Sequence, residues 1–296
     1  MRGFESLCLM ATIATAAACD RGTTSVAPLP SASAKAAESR ALVVARPYEM
    51  HVPPRHPGHA PLLVFLHGYG DDHVGVAQWL GAEALADRHD FLLALPDGTL
   101  DASGKRFWNA TDACCNFHFV PVDDVAYLDA VIDDAIARYP VDPARVYVAG
   151  YSNGGFMAHR YACDRAERVA GVVSFAGAVW KDASRCKPSV PVSVLEVHGD
   201  ADPRVRYEGA EATAAKDALL RQAYPGAKES IATWARLDGC GTAETSDDGR
   251  DERVRYACAG GSGVELWTRH KGTHILKLTP ADMDGAWSFL AAHSRR

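Results

Sequence analysis

Short runs of consecutive apolar residues recur along the chain between longer segments that carry a helical stripe. PLLVFL (61–66), FLLAL (91–95), RVYVA (145–149), VSVLEV (192–197) and GVELWT (263–268) are the runs. Several end in glycine turns: His67-Gly68-Tyr69-Gly70, Pro96-Asp97-Gly98, Gly150 and His198-Gly199. A strand with one wet face alternates, whereas a run that is apolar throughout fits a strand covered on both faces, as in a parallel sheet. Segment 122–139 puts Val125, Leu128, Val131, Ile132, Ala135 and Ile136 on one helical face. Asp123, Asp129, Asp133 and Asp134 take the others, and Pro140 stops the helix. Segments 154–163, 208–223 and 281–293 read as further helices, and 41–45 and 48–52 as two leading strands split by Arg46-Pro47. The alternation predicts an α/β fold, with a mostly parallel central sheet flanked by helices in one domain over residues 41–296. Residues 99–121 break the pattern with a long aperiodic loop carrying Trp108, Cys114 and Cys115. A long ordered loop after a strand is frequently functional.

The first forty residues have another character. Arg2, an apolar stretch from Leu7 to Ala18 and the small residues Ala16-Ala17-Ala18 have the layout of an export signal. Cys19 follows at once, as in bacterial lipoproteins, where the signal is cut before a cysteine that then carries lipid. The expectation is a signal at 1–18, a lipidated Cys19 and a flexible Ser/Thr/Ala/Pro tether to Arg40. The protein is then extracellular, periplasmic or at the cell surface, touching a membrane only through that anchor. Beyond Cys8 and Cys19 six cysteines remain, Cys114, Cys115, Cys163, Cys186, Cys240 and Cys258. An even number suits disulfides in an oxidising compartment, although sequence alone leaves their pairing open.

Composition removes other classes. Lys and Arg number 31 against 37 Asp and Glu, for a net charge of −6, and no basic stripe marks a nucleic-acid binder. No apolar run reaches the ~18 residues of a membrane span. Cysteine and histidine spacings match no zinc site, and neither metal nor cofactor is expected.

Gly150-Tyr151-Ser152-Asn153-Gly154 fits G-x-S-x-G. The string alone is weak, but here a strand precedes it and a helix follows. That sharp turn exposes a serine hydroxyl, while the flanking glycines keep other side chains away. A serine needs a base to take its proton and an acid to orient the base. In α/β-hydrolases these follow in the order Ser, acid, His. Asp200 and Asp202 stand after VSVLEV, and His270 and His274 after GVELWT. Two backbone donors must meet the developing oxyanion. Asn153, next to the nucleophile, supplies one and Tyr69 on the early glycine turn the other. His67 reads as a structural side chain beneath that turn.

LHGYGDD, FWNATDACC, VDDVAYLDAVID, VDPARVYVAGYSNGGFMAHRYAC, VHGDADPRVRY and VELWTRHKGTH occur in the order seen in a family of secreted esterases. Over residues 41–290 the chain resembles the polyhydroxybutyrate depolymerase-like and feruloyl-esterase-like proteins. Lipoproteins of the LpqC type and the first family of carbohydrate esterases are close to these. The resemblance implies an α/β-hydrolase fold and serine-esterase chemistry. Its HGxxDxxVPY block puts the acid at Asp202, with Arg206-Tyr207 where Pro-Tyr is usual, and leaves Asp200 a neighbour. Its VELWxxxGGGHxWPG block puts the base at His274 and ranks His270 below it. Lys271-Gly272-Thr273 replaces the glycine run and Ile275-Leu276 alters a wall of the pocket. Similar proteins close the excursion between Cys240 and Cys258 with a bridge, and Cys163 with Cys186 forms a second pair. Cys114 and Cys115 are a vicinal disulfide or two thiols.

The reaction expected is hydrolysis of a small-molecule or oligomeric ester through an acyl-enzyme. Its substrates are feruloyl or acetyl esters on polysaccharide fragments, or short polyhydroxyalkanoate oligomers. Soluble fragments are favoured because no polymer-binding module is recognised. Trp108 and Tyr69 either wall the pocket against a phenolic acyl group or, for Trp108, pack under its loop. A non-catalytic binding protein on a hydrolase scaffold and a serine peptidase of the same fold are the competing readings.

Overall fold

The computed structural model describes residues 32–56, 58–213, 220, 222–258 and 260–295. The expected signal, Cys19 and the tether up to residue 31 lie outside the described residues. The helices are α1 (Ala32–Ala45), α2 (His73–Leu80), α3 (Ala82–His89), α4 (Asp124–Arg138), α5 (Asn153–Asp164), α6 (Ala227–Leu237) and α7 (Pro280–Ala291). The early strands are β1 (Tyr48–His51), β2 (Ala60–Leu66), β3 (Leu92–Pro96), β4 (Thr99–Leu100), β5 (Arg106–Phe107), β6 (Val141–Tyr151) and β7 (Gly171–Phe175). β8 (Ser193–Gly199), β9 (Gly209–Ala210), β10 (Tyr224–Pro225), β11 (Cys240–Asp247), β12 (Asp251–Cys258) and β13 (Gly263–Arg269) follow.

One nine-stranded sheet runs β1-β3-β2-β6-β7-β8-β13-β12-β11. The six strands from β3 to β13 are parallel, and β1 at one edge and the β11–β12 ribbon at the other are antiparallel. Every residue of β2, β3, β7 and β8 is buried, as continuous apolar runs require. Strand period divides the core into two. Leu62, Val64 and Leu66 join α4, α5 and α6 on one face, and Leu63 and Phe65 join α2, α3 and α7 on the other. Each such side chain stabilises the fold by about 1.5–3 kcal/mol relative to leaving it in water. The chain leaves β2 toward β3 and later returns to its opposite flank with β6, so a crevice opens where the strand order reverses. Ligands of open α/β sheets bind in such a crevice, beyond the carboxyl ends of the strands.

Three segments differ from the sequence expectation. Residues 41–45 end α1 rather than form a strand, and Ala32–Arg40, expected as tether, belongs to the same helix. Six of its fourteen residues are alanine, the strongest helix former, and Leu42 and Val43 pack against the core. The helix expected over 208–223 does not begin at its stated start. Glu208 lies in a turn and Gly209–Ala210 form β9, paired with β10, while residues 214–219 lie outside the described set. The excursion between Cys240 and Cys258 is not a loop but the β11–β12 ribbon. Its outer strand, CGTAETSD, is exposed almost throughout and has no apolar face for a pattern to register. α2, α3 and α6 were not anticipated either.

Candidate active site

Leu66 of β2 and Gly150 of β6 are register partners, so the turns that follow them stand side by side. Ser152 sits between β6 and α5 at φ 55° and ψ −115°, a strained conformation for a residue with a side chain. Its N–H donates to Phe175 O at 2.7 Å. The glycines are required by close backbone approach. A Cβ on Gly150 would lie 2.2 Å from Gly154 O, and one on Gly154 would lie 2.3 Å from Leu66 O.

Acid and base arrive from β8 and β13, which are parallel neighbours. Their turns cross at Gly199 and Gly272, where a Cβ on Gly199 would meet Gly272 O at 2.2 Å. Ala201 N–H donates to Gly272 O at 2.9 Å, and the Asp200 carboxylate accepts from Lys271 N–H at 2.5 Å. Gly272 meets the opposing backbone directly, whereas Lys271 takes φ 55°, a left-handed conformation that favours glycine and that a side chain adopts at a cost. His274 reaches Ser152 Oγ with Nε2 at 2.9 Å and Asp202 Oδ2 with Nδ1 at 2.7 Å. Asp202 Oδ1 accepts the N–H groups of Arg204 at 2.8 Å and Val205 at 3.1 Å. Burial opposes charge on Asp202, but hydrogen bonds from His198 and His274 outweigh it and hold the carboxyl well below the usual carboxylate range.

His270 points elsewhere. Its ring lies on the surface between Asp200 at 3.3 Å and Asp247 at 3.0 Å.

The two expected oxyanion donors, Tyr69 N–H and Asn153 N–H, have no backbone acceptor among the described residues. A Cβ added to Gly68 would stand 3.6 Å from Ser152 Cβ, which puts the first turn against the serine. Trp108 ties the two turns together. Its N–H and C=O pair with the Asn153 amide at 2.7 and 2.9 Å, and its indole Nε1–H donates to His67 O at 3.0 Å. His67 itself is buried, donating from Nδ1 to Gly68 O at 2.7 Å and accepting from Gly98 N–H at Nε2. Desolvation lowers its pKa, so it braces the turn as a neutral ring.

Trp108 as a pocket wall is corrected: the side chain is wholly buried, stacked on Tyr127, and supports the site from beneath. The Tyr69 ring is half-buried, its hydroxyl on Asp101 at 2.7 Å and its face edge-on to Phe117. Cys114–Cys115, Cys163–Cys186 and Cys240–Cys258 are all disulfides.

Sequence reasoning missed Tyr151 and a group behind Asp202. Tyr151 hydroxyl donates to His274 O at 2.9 Å, and its ring lies 5.2 Å from the imidazole and 4.6 Å from that of Trp79. Trp79 and Ile275 are exposed large apolar side chains flanking this side of the site. Behind Asp202 lie His198, Glu196, His159 and Trp234, all buried. A carboxylate inside a strand predicted to be covered on both faces, with a histidine two residues on, was the available signal.

Sheet order, helix layers and the serine turn define an α/β-hydrolase. The structure of acetyl xylan esterase from Aspergillus awamori shares the fold, with a TM-score of 0.62 and 15% identity over 83% of this chain and 93% of that one. Residues 47–210 match the family described as Esterase PHB depolymerase, and the chain belongs to that family. Among curated relatives, "Putative esterase NocK" of Nocardia uniformis subsp. tsuyamanensis is 31% identical over 75% of this chain and 64% of its own length. "Feruloyl esterase B" of Piromyces equi is 28% identical over 79% of this chain and 42% of its own. This chain thus spans less than two thirds of either relative.

Proposed function

We propose that the protein is a carboxylic ester hydrolase of the serine type. The observation that carries this reading is the unbroken chain from Ser152 Oγ through the His274 ring to Asp202, set at a strained turn. Ser152 Oγ attacks the ester carbonyl while His274 Nε2 takes its proton, and Asp202 orients the ring and balances the imidazolium. The carbonyl oxygen becomes an oxyanion facing the N–H groups of Tyr69 and Asn153. The C–O bond to the alcohol then breaks, His274 returns the proton to the leaving oxygen, and an acyl-Ser152 ester remains. Water repeats the sequence, releasing the acid and the free serine. No metal or cofactor is needed for these steps.

The substrates are soluble feruloyl or acetyl esters of polysaccharide fragments, or short hydroxyalkanoate oligomers. The names of the relatives and the Trp79 and Ile275 side chains beside His274 support that choice. Residues 1–18 are an export signal and Cys19 a lipid anchor, a reading that rests on the sequence and that intact-mass analysis of membrane-fractionated protein tests. For the enzyme, Ser152→Ala is assayed against p-nitrophenyl acetate, methyl ferulate and hydroxybutyrate oligomers. Residual kcat above about a thousandth of wild type sinks the proposal, since that is roughly what binding and the oxyanion donors provide alone.

A further inference from the structure

Hydrogen-bond logic fixes the charge of a second histidine behind the acid. The Trp234 indole can only donate, and its Nε1–H points at His159 Nδ1 at 3.0 Å. His159 is therefore an acceptor at Nδ1 and carries its proton at Nε2, which it donates to Glu196 Oε2 at 3.1 Å. The other Glu196 oxygen faces His198 Nδ1 at 2.9 Å. His198 Nε2 in turn faces Val205 O, which can only accept, at 2.8 Å, and Asp202 Oδ2 at 3.4 Å. Burial opposes charge on Glu196, but hydrogen bonds from His159 and His198 keep it ionised, so both ring nitrogens of His198 face acceptors and the ring is satisfied as an imidazolium. β8 makes the cluster possible, because positions 196 and 198 share the sheet face that α5 and α6 cover with His159 and Trp234.

We propose that His198 is a positioning residue of ester hydrolysis, a buried imidazolium that shares Asp202 Oδ2 with His274 and sets the pH at which the triad works. The proposal rests on the esterase reading above. Glu196 on the same strand, Asp202 and Val205 O in the next turn, and the Tyr207 ring edge-on at 5.8 Å face His198 directly. The Tyr207 hydroxyl shares a hydrogen bond with that of Thr268 of β13 at 2.6 Å, and His274 stands across Asp202. Glu196 and Asp202 carry the negative charge of this group. Burial disfavours the charged ring, but the bonds to Asp202 and Glu196 prevail and raise the His198 pKa to about 9. A fixed cation on one side of Asp202 repels a second cation on the other. Acid inactivation of the triad is thereby held to lower pH than Asp202 alone would allow.

Glu196→Gln removes both charges of the Glu196–His198 pair while keeping its hydrogen bonds. A glutamine there accepts from His159 with its oxygen and donates to His198 Nδ1 with its nitrogen, so His198 becomes neutral with every bond kept. The probe is a fluorophosphonate that labels Ser152, followed against pH beside turnover of p-nitrophenyl acetate. The acid limb of both profiles is expected to move up by about one pH unit, with about a tenfold loss below it. A loss equal at all pH values, with the limb unmoved, means a packing role and overturns the proposal. Nitrogen-15 spectra of wild-type histidine rings provide a reading that needs no variant. His198 is expected to carry protons on both nitrogens at pH 7, and a single protonated nitrogen overturns the proposal. Protein that labels normally but hydrolyses no ester sinks the esterase reading alone, and the labelling limb still decides this one.

Discussion

The nucleophile enters the site from β6 and the acid and base from β8 and β13, and the two sides are held by different means. On the β6 side the constraint is backbone against backbone. Gly150, Gly154 and Leu66 approach so closely that a single added carbon collides, and Ser152 is forced into its strained angles. On the β8–β13 side one such close contact, Gly199 on Gly272, and two backbone hydrogen bonds, Asp200 N–H to Arg269 O and Ala201 N–H to Gly272 O, join the turns, and side chains hold the acid and base themselves. Asp202 accepts from four donors, Tyr151 holds His274 by its carbonyl, and a charged cluster stands behind. Backbone constraints are intolerant of substitution but indifferent to pH. Side-chain constraints tolerate isosteric change and respond to protonation.

Substitutions on the two sides should therefore fail differently. The largest effect after loss of the serine is expected from His274→Ala, at least about a thousandfold in kcat with the melting temperature little changed. His270→Ala is the control, with a loss of less than about fivefold, the scale of an exposed ion pair. Steady-state kinetics on both variants provide the check. Equal losses would mean that surface charge reaches the base, and the separation between the two sides would not stand.

Gly154→Ala should do the opposite. The new methyl meets Leu66 O and His67 O, both backbone atoms that cannot swing aside. Forced overpacking costs about 1–3 kcal/mol, and a shift of about 1 Å in the reacting atoms costs about a hundredfold in rate. Urea unfolding should show the stability loss, and activity should fall equally across the pH range. A change in the shape of the pH profile would show that the backbone side also titrates.

That contrast explains what was legible in the sequence. Glycines required within a few residues of one another leave a local signature, so the Ser152 turn stood out at once. Parallel strands covered on both faces were visible as apolar runs for the same reason. Asp202 and His274 needed chain order and resemblance, because two candidates stood at each place. Glu196 was hidden inside a run read as apolar and His198 in the glycine turn after it, and His159 and Trp234 lie on helices with no pattern that ties them to β8. Trp108 was ambiguous because an aromatic on a functional loop can either face the ligand or support the loop. Only burial separates the two, and it supports the loop. The β11–β12 ribbon escaped because an exposed polar edge pairs through its backbone, which side-chain periodicity does not report.

The smallest effect on catalysis is expected where the ribbon is tied. Cys240 and Cys258 are directly opposed across β11 and β12, with Cα atoms 3.9 Å apart. The next strand pair sets Ala257 against Gly263, so the bridge anchors the beginning of β13, while the loop bearing His274 leaves its other end. That other end has its own clamp. Arg269 pairs with Asp251 and, at 3.2 Å, with Asp282 at the start of α7, and Arg250 reaches both carboxylates. The double change Cys240→Ser with Cys258→Ser should therefore lower stability by roughly 3 kcal/mol on the chain-entropy estimate for a loop of this length. Calorimetry reads that as a fall in melting temperature. At a temperature where the variant stays folded, kcat should remain within about twofold of wild type, because the ion pairs at the catalytic end of β13 are untouched. A larger loss would show that β13 transmits strain along its whole length, and the site would then depend on an edge that none of its residues touches.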